Sequence, residues 1–264
     1  GGSVGDGGAG VDDGGSVVER DAGTGVRDDG GVDDAGEPPA PCLEPAPLDA
    51  PCAPSHEGLV ACWDFEDVVS SGGTSILVPD VVGGFSAMGS GRIVDSLHGS
   101  GYDPNLSGYL ALSAPPAIAA DGPMSVDAWV FARSLPVDTG TPARNVVYDS
   151  NAQFGLMLHS TGMACAAGTA TDPTFRVITE GFPTGRWVHV TCSLSDDGAG
   201  LVVYVDGAEA ARAVHSGTLL SPNAPIYIGA NSPTGTEQFD GVIDELRVFR
   251  ARRSAVDACW AAQP

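Results

Sequence analysis

Lysine is missing from this chain of 264 residues: all twelve basic side chains are arginine, set against 34 Asp and Glu, for a formal charge of -22. Phosphate backbones and anionic bilayers require clustered cations, and no stretch of the sequence offers a basic patch. Nucleic acid and acidic membrane surfaces are therefore excluded as partners. Arginine without lysine, beside abundant Ala, Gly, Val, Asp and Pro, reflects a GC-rich genome and carries no chemistry by itself. No hydrophobic run approaches the length of a transmembrane helix, so no transmembrane segment is expected, and no signal peptide is visible. An exported chain with its leader removed would begin, as this one does, at Gly rather than Met.

Common catalytic and metal signatures are missing too. The six cysteines at 42, 52, 62, 165, 192 and 259 contain no C-x2-C pair, and no His lies three to five residues from another, which removes zinc-type spacing. Disulfides in an oxidising compartment are the alternative. There is no EF-hand loop. The histidines at 56, 98, 159, 189 and 215 lie in no G-x-S-x-G or cysteine-nucleophile context, so no catalytic residue is assigned.

Gly1 to Pro41 carries ten acids, two Arg, thirteen of the 37 glycines and no aromatic residue. Such a segment cannot build a core, so residues 1–41 are expected to form a disordered, self-repelling linker. Residues 42–56 form a Pro/Cys-rich neck, where proline removes backbone donors and a disulfide would supply order. Strands are expected from Leu59, at 76–78, 93–94, 109–112, 124–132, 145–148, 154–159, 163–166 and 175–179, with turn signals between them. Four more are read between Arg186 and Arg250, where Asp206-Gly207 supplies the two positive-φ residues of a type I′ hairpin. Ser254 can cap a short final helix through Trp260. This pattern argues an all-β fold, a two-sheet antiparallel sandwich over residues 57–264.

Trp187 and His189 in W-V-H-V, Y-V-D-G at 204–207, I-G at 228–229 and F-D-G-V-I-D-E-L-R-V-F at 239–249 resemble the laminin G-like domains of the concanavalin A-like lectin/glucanase superfamily. G-L-V-A-C-W-D-F-E at 58–66 and M-S-V-D-A-W-V at 124–130 extend the resemblance to roughly 57–260. It implies one structural Ca2+ held by Glu66, Asp80 and Asp244, the alternative being that these are ordinary solvated acids; the loop from Ala230 to Gly235 lacks the carboxylates of the pentraxin calcium pair. With the first strand and chain end brought together, it also implies disulfides Cys62–Cys259, Cys165–Cys192 and Cys42–Cys52, with partners among Cys42, Cys52 and Cys62 interchangeable.

Glucanases of this superfamily carry acids at i, i+2 and i+4 of one strand. Here the outer positions around Asp244 are Val242 and Leu246, so no enzyme is expected. The sialidase signature is matched only in part, by a turn-like Ser195–Gly200. Trp63, Trp129, Trp187 and Trp260 read as core, which leaves Tyr102, Phe85, Phe182 and Phe239 as candidate ligand contacts. The resemblance thus points to a non-catalytic exported module binding an extracellular glycan or protein ligand, the alternative being a degenerate or unrecognised glycoside hydrolase. The Asp-Ala-Gly tail resembles those following the lipid-modified cysteine of bacterial surface lipoproteins, which implies an extracellular or cell-surface location and a lipid anchor upstream of residue 1.

Overall fold

The expected strands assemble into two antiparallel sheets in a computed structural model of the chain. It describes residues 52–263 other than 73, 106, 120, 139–142, 196–199, 215–216, 223–224 and 232–236, all within one compact unit, Pro39–Pro264. The tail at 1–41, the neck as far as residue 51, and most of the Ser195–Gly200 and Ala230–Gly235 loops lie outside the described residues.

In chain order the elements begin with β1 (Leu59–Trp63), β2 (Val69–Gly72), β3 (Ser75–Val78), β4 (Ala87–Ser90), β5 (Arg92–Ser96), β6 (Gly99–Asp103), β7 (Tyr109–Leu112) and α1 (Pro116–Ala119). There follow β8 (Met124–Ala132), β9 (Arg144–Asp149), β10 (Phe154–His159), β11 (Met163–Ala167), β12 (Arg176–Ile178) and β13 (Trp187–Leu194). The chain closes with β14 (Leu201–Val205), β15 (Ala208–Ala213), β16 (Ile226–Ile228), β17 (Gly241–Phe249) and α2 (Ala255–Ala261). One sheet runs β15-β14-β13-β8-β17-β6-β5, with β1 also paired to β17; the other runs β12-β11-β10-β9-β16-β7-β4-β3-β2.

The stretch from Arg186 to Arg250 contains five strands rather than four, because the turn at Asp206 (φ 47°) and Gly207 (φ 79°) splits one run into β14 and β15. These are the angles a type I′ hairpin needs. A Cβ at Gly207 would lie 2.7 Å from the Cα of Cys259, so α2 rests on that turn. Strands β2, β4 and β6 escaped the sequence reading because Gly, Ser and Ala give them little β-branched or aromatic character. At Ser254 a capping box forms as expected, the hydroxyl accepting from the Asp257 amide and the Asp257 carboxylate accepting from the Ser254 amide.

Between the sheets Trp63, Phe65, Tyr102, Leu110, Tyr148, Phe154 and Phe239 form one continuous core. Tyr102 and Phe239 are therefore buried packing residues, as is Phe182, and Phe85 packs against the same core. Tyr102, Phe182 and Phe239 are not surface ligand contacts, since their rings gain more from burial than a strand-entry position suggested, whereas Phe85 stays partly exposed. Trp129 and Trp187 lie instead on the outer face of the eight-stranded sheet: Trp129 sits between the His98 and His189 rings and Trp187 is edge-on to Phe131.

Cys165 on β11 and Cys192 on β13 form the expected bridge, which ties the two sheets together through the core. Cys62 pairs with Cys52, not Cys259, and the expected Cys42–Cys52 bridge is displaced accordingly. Cys62 stands opposite Arg247 on β17, whereas Cys259 packs by β14 and β15, about four strand spacings or 19 Å across the sheet. A disulfide spans about 7 Å between Cα atoms at most. Cys259 is itself disulfide-bonded, to a partner outside the described residues.

Candidate functional site

The outer face of the nine-stranded sheet carries an unbroken transverse row of paired residues. Met88, Ala111, Tyr227, Asp149, Gly155, Ala166 and Arg176 stand side by side on β4, β7, β16, β9, β10, β11 and β12. Directly paired residues share a face, so the row reads from an apolar end, through a carboxylate, to a guanidinium. Gly155 and Ala166 are both small, and they line a trench of about 240 Å³ between Asp149 and Arg176. Beside them Val146, Met157 and Ala164 form a separate small apolar cluster. β9 carries one more residue than β10 between the Asp149 and Val146 pairs, a bulge that keeps both of these residues facing outward.

Two turns wall the trench. The β9–β10 turn places Asn151 (φ 36°) and Ala152 (φ 65°) in the left-handed region, a costly conformation for alanine. Strain of this kind concentrates where a loop is shaped for contact. The Asn151 amide donates to Asp149 Oδ1 at 2.9 Å. On the far side Pro173 and Thr174 line the β11–β12 turn.

Charge in the trench is uneven. Burial pushes Asp149 up to about 6, opposed by the Asn151 amide and Arg144 and reinforced by Glu237. Arg144 is ion-paired with Glu237 at 2.7 Å, and Asn231 donates to the same carboxylate at 2.6 Å. His159, opposite Arg144 in the ladder, is driven down to about 4, by burial first and then by Arg176 and Arg144. Asp138 and Glu237 act on His159 in the opposite direction, so charges of both signs meet on this patch.

The three acids expected to hold calcium have other partners. Asp80 Oδ1 accepts from the amides of Cys62 (2.8 Å) and Val82 (2.9 Å), and Oδ2 from those of Gly83 and Phe85 (both 3.0 Å). Four amides use the full acceptor capacity of a carboxylate. Glu66 and Asp244 do converge on the β5–β6 hairpin: Glu66 Oε1 accepts from the Ser100 amide, while Asp244 Oδ2 accepts from the Ser96 hydroxyl at 2.5 Å and the His98 amide. Asp80 instead pins β1 to the segment after β3. Among the described residues no three His, Cys, Asp or Glu side chains are placed to hold a metal ion. The donor set does not fit the calcium ion that the resemblance implied.

On β17 a bulge between Asp244 and Arg247, with Glu245 at φ 46°, breaks the alternation on which the glucanase comparison depended. Ile243 and Leu246 both enter the core, so Leu246 does not share the face of Asp244. Burial raises Asp244 to about 6 and Glu245 to about 7. His189 is wholly buried, its Nε2 3.2 Å from an Arg247 nitrogen, and burial holds it neutral at about 3.

Sequence reading placed Asp149, Gly155, Ala166 and Arg176 in or beside strands without giving them a role. The usable signal was the small residue at alternate positions, Gly155 and then Ala164 and Ala166, on strands otherwise filled with larger side chains. Their register across β9–β12 is set by turns and a bulge, which no single strand announces.

Two antiparallel sheets packed face to face, with an outward trench on one of them, define a lectin-like β-sandwich. Residues 103–258 match the family described as the concanavalin A-like lectin/glucanases superfamily, and the chain belongs to it. Similar solved structures include domain 4 of AbnA, a GH43 extracellular arabinanase from Geobacillus stearothermophilus, in complex with arabinotriose. That match has 20% identity and TM-score 0.58, covering 78% of this chain and 98% of that one. The binding domain of Paraclostridial Mosquitocidal Protein 1 matches at 12% identity and TM-score 0.59, over 77% of this chain and 52% of that one. Trypanosoma rangeli sialidase, in complex with the inhibitor DANA, matches at 15% and 0.54, over 84% of this chain but 36% of its own. At these identities the likeness is one of fold. No curated protein matches the chain by sequence.

Proposed function

We propose that the protein is a non-catalytic extracellular module that binds a glycan in the trench of the nine-stranded sheet. The observation that carries this reading is the trench itself. Ala166 and the Met157 methyl, which lies over Gly155, give the trench an apolar floor, and Asp149, Asn151 and Asn231 at its edge offer hydroxyl partners. The AbnA domain whose fold it shares was solved with arabinotriose, and the mosquitocidal domain is a binding domain; both support a binding role. The Cys52–Cys62 and Cys165–Cys192 bridges support an oxidising, extracellular setting. Display on an acidic tether, with a lipid anchor upstream, is the arrangement proposed for the N-terminal tail.

One observation favours hydrolysis as a second reading: a carboxyl held near 6 in a cavity, as Asp149 is, suits a general acid. Glu237, the acid whose charge reinforces that shift, is already engaged by Arg144 and Asn231, which argues against a free nucleophile. Screening the full chain on an oligosaccharide array, with Ala166→Leu to fill the trench, tests the binding reading. Glycan binding that survives Ala166→Leu unchanged would move the site elsewhere, and turnover of a bound oligosaccharide, abolished by Asp149→Asn, would replace binding with catalysis.

A further inference from the structure

We infer that the trench selects an acidic saccharide, one bearing a uronate-type carboxylate, and that Arg176 is the residue that reads this group. The inference rests on the glycan-binding reading and names the ligand class for the same site.

Arginines in this chain are heavily outnumbered by acids, and their guanidinium groups are mostly claimed. Arg92, Arg133, Arg186, Arg212, Arg247 and Arg253 are each ion-paired to a carboxylate, as is Arg144. The Arg176 guanidinium has no hydrogen bond or ion pair among the described residues, although its side chain is only partly exposed and lines the trench. A planar fork of five donors left without an acceptor at a cavity wall matches a ligand carboxylate bidentately.

The net charge of -22 does not oppose this. Charges farther away than about 8 Å are largely screened at physiological salt, so the neighbouring groups decide the local potential. After burial, Arg176 and Arg144 are the next causes that depress His159, with Asp138 and Glu237 opposing them. The opposite wall behaves differently. Asp149 keeps one oxygen engaged by the Asn151 amide. Its other oxygen has no hydrogen-bond partner among the described residues, and the residue lines the trench. Three strand spacings, about 14 Å of backbone, separate Asp149 from Arg176, and both residues line the same trench. A ligand with hydroxyls at one end and a carboxylate at the other satisfies both walls, whereas a neutral sugar leaves the guanidinium unmatched.

The test is calorimetric titration of the full chain with short oligogalacturonates and oligoalginates, against the same oligomers after carboxyl methyl-esterification and against neutral xylo- and arabino-oligosaccharides. Arg176→Gln and Ala166→Leu are compared with the native chain, and thermal melts confirm that each variant is folded. The expected result is binding of an acidic oligomer that weakens about ten- to a hundredfold on esterification or in Arg176→Gln, weakens with added salt, and is lost in Ala166→Leu. If neutral oligomers bind as well as acidic ones, with sensitivity to Ala166→Leu but not to Arg176→Gln, the acidic specificity is wrong and the glycan site stands. If no saccharide binds, or binding ignores Ala166→Leu, the glycan site and this inference fall together. Binding of a short Glu/Asp peptide, with no saccharide bound, would identify a protein ligand instead and overturn both.

Discussion

Arg247 on β17 donates from Nε to Asp127 Oδ1 on β8 at 2.6 Å, with side-chain exposures of only 5% and 0%. The pair lies on the outer face of the eight-stranded sheet beside His189 and Trp129. Asp127 Oδ2 is buried without a hydrogen-bond partner, so the charge on Asp127 is compensated chiefly by one guanidinium. Removing that partner leaves a buried charge uncovered, which costs far more than the pair contributes over apolar groups. Arg247→Met should therefore lower stability by about 3 to 5 kcal/mol, while Asp127→Leu together with Arg247→Met should cost clearly less. Equilibrium urea unfolding of the two variants checks the ordering. A double variant as unstable as the single one would mean that the loss comes from packing around Trp129 instead.

The bridge between Cys165 and Cys192 closes a separation of 27 residues and joins β11 to β13 across the core. In the chain-entropy account such a loop contributes about 3 kcal/mol. Changing both cysteines to alanine should reduce the melting temperature by about 6 to 12 °C for a domain of this size. Non-reducing peptide mapping should recover Cys52 with Cys62 and Cys165 with Cys192. The third bridge should join Cys259 to Cys42, the one cysteine of the six left over. A Cys62–Cys259 peptide would contradict the placement of α2 over β14 and β15.

Buried acids and buried histidines give stability opposite slopes with pH. Asp149 and Asp244 at about 6 and Glu245 at about 7 are raised by burial. Their contribution is complete below their unfolded values near 4 and is lost as pH rises through 6 to 7. His159 and His189, lowered by burial to about 4 and about 3, act in reverse: their contribution is complete above about 6.5 and is lost as pH falls. The two sets oppose each other between about pH 4 and 6.5, so the stability curve should be shallow there and decline from about 6.5 to 8, where Glu245 still titrates. Glu245→Gln should remove most of that decline in denaturant midpoints measured across this range. An unaltered decline in the variant would assign it to other groups.

Much of the sandwich was legible in the sequence because its strands carry their own signals. Met124–Ala132, Tyr109–Leu112 and Phe154–His159 are runs of apolar and aromatic residues ended by Gly, Pro, Asn or Ser, and Asp206-Gly207 fixes its own turn. The bulge at Glu245 was not legible. Nothing in V-I-D-E-L shows that one residue will adopt a positive φ and swing Leu246 into the core. The cysteine partners of Cys62 and Cys259 depended on which strand lies beyond β17, a fact of topology rather than of local sequence. The trench was hidden for a related reason: Asp149 and Arg176 are 27 positions apart and meet only through three ladder registers.

Asp80 tests whether the acids near the first strand serve a metal or the backbone. Its carboxylate accepts four amide hydrogens, from Cys62, Val82, Gly83 and Phe85, and so fastens β1 to the segment that follows β3. An asparagine there keeps the shape but turns an NH2 group toward two amide donors, which cannot be satisfied. Each amide left without an acceptor costs about 1 to 3 kcal/mol, so Asp80→Asn should lower stability by about 2 to 6 kcal/mol. Because the loss is one of hydrogen bonds, it should be the same in millimolar calcium and in EDTA. Glu66→Gln and Asp244→Asn leave the Asp80 amides untouched and should likewise respond equally in the two buffers. Melting temperatures of the native chain and the three variants, taken in both buffers, decide the matter. A native chain that melts higher in calcium, with that gain abolished in any one of the variants, would restore the calcium site that the sequence resemblance implied and would require Asp80 to exchange amide partners for the ion.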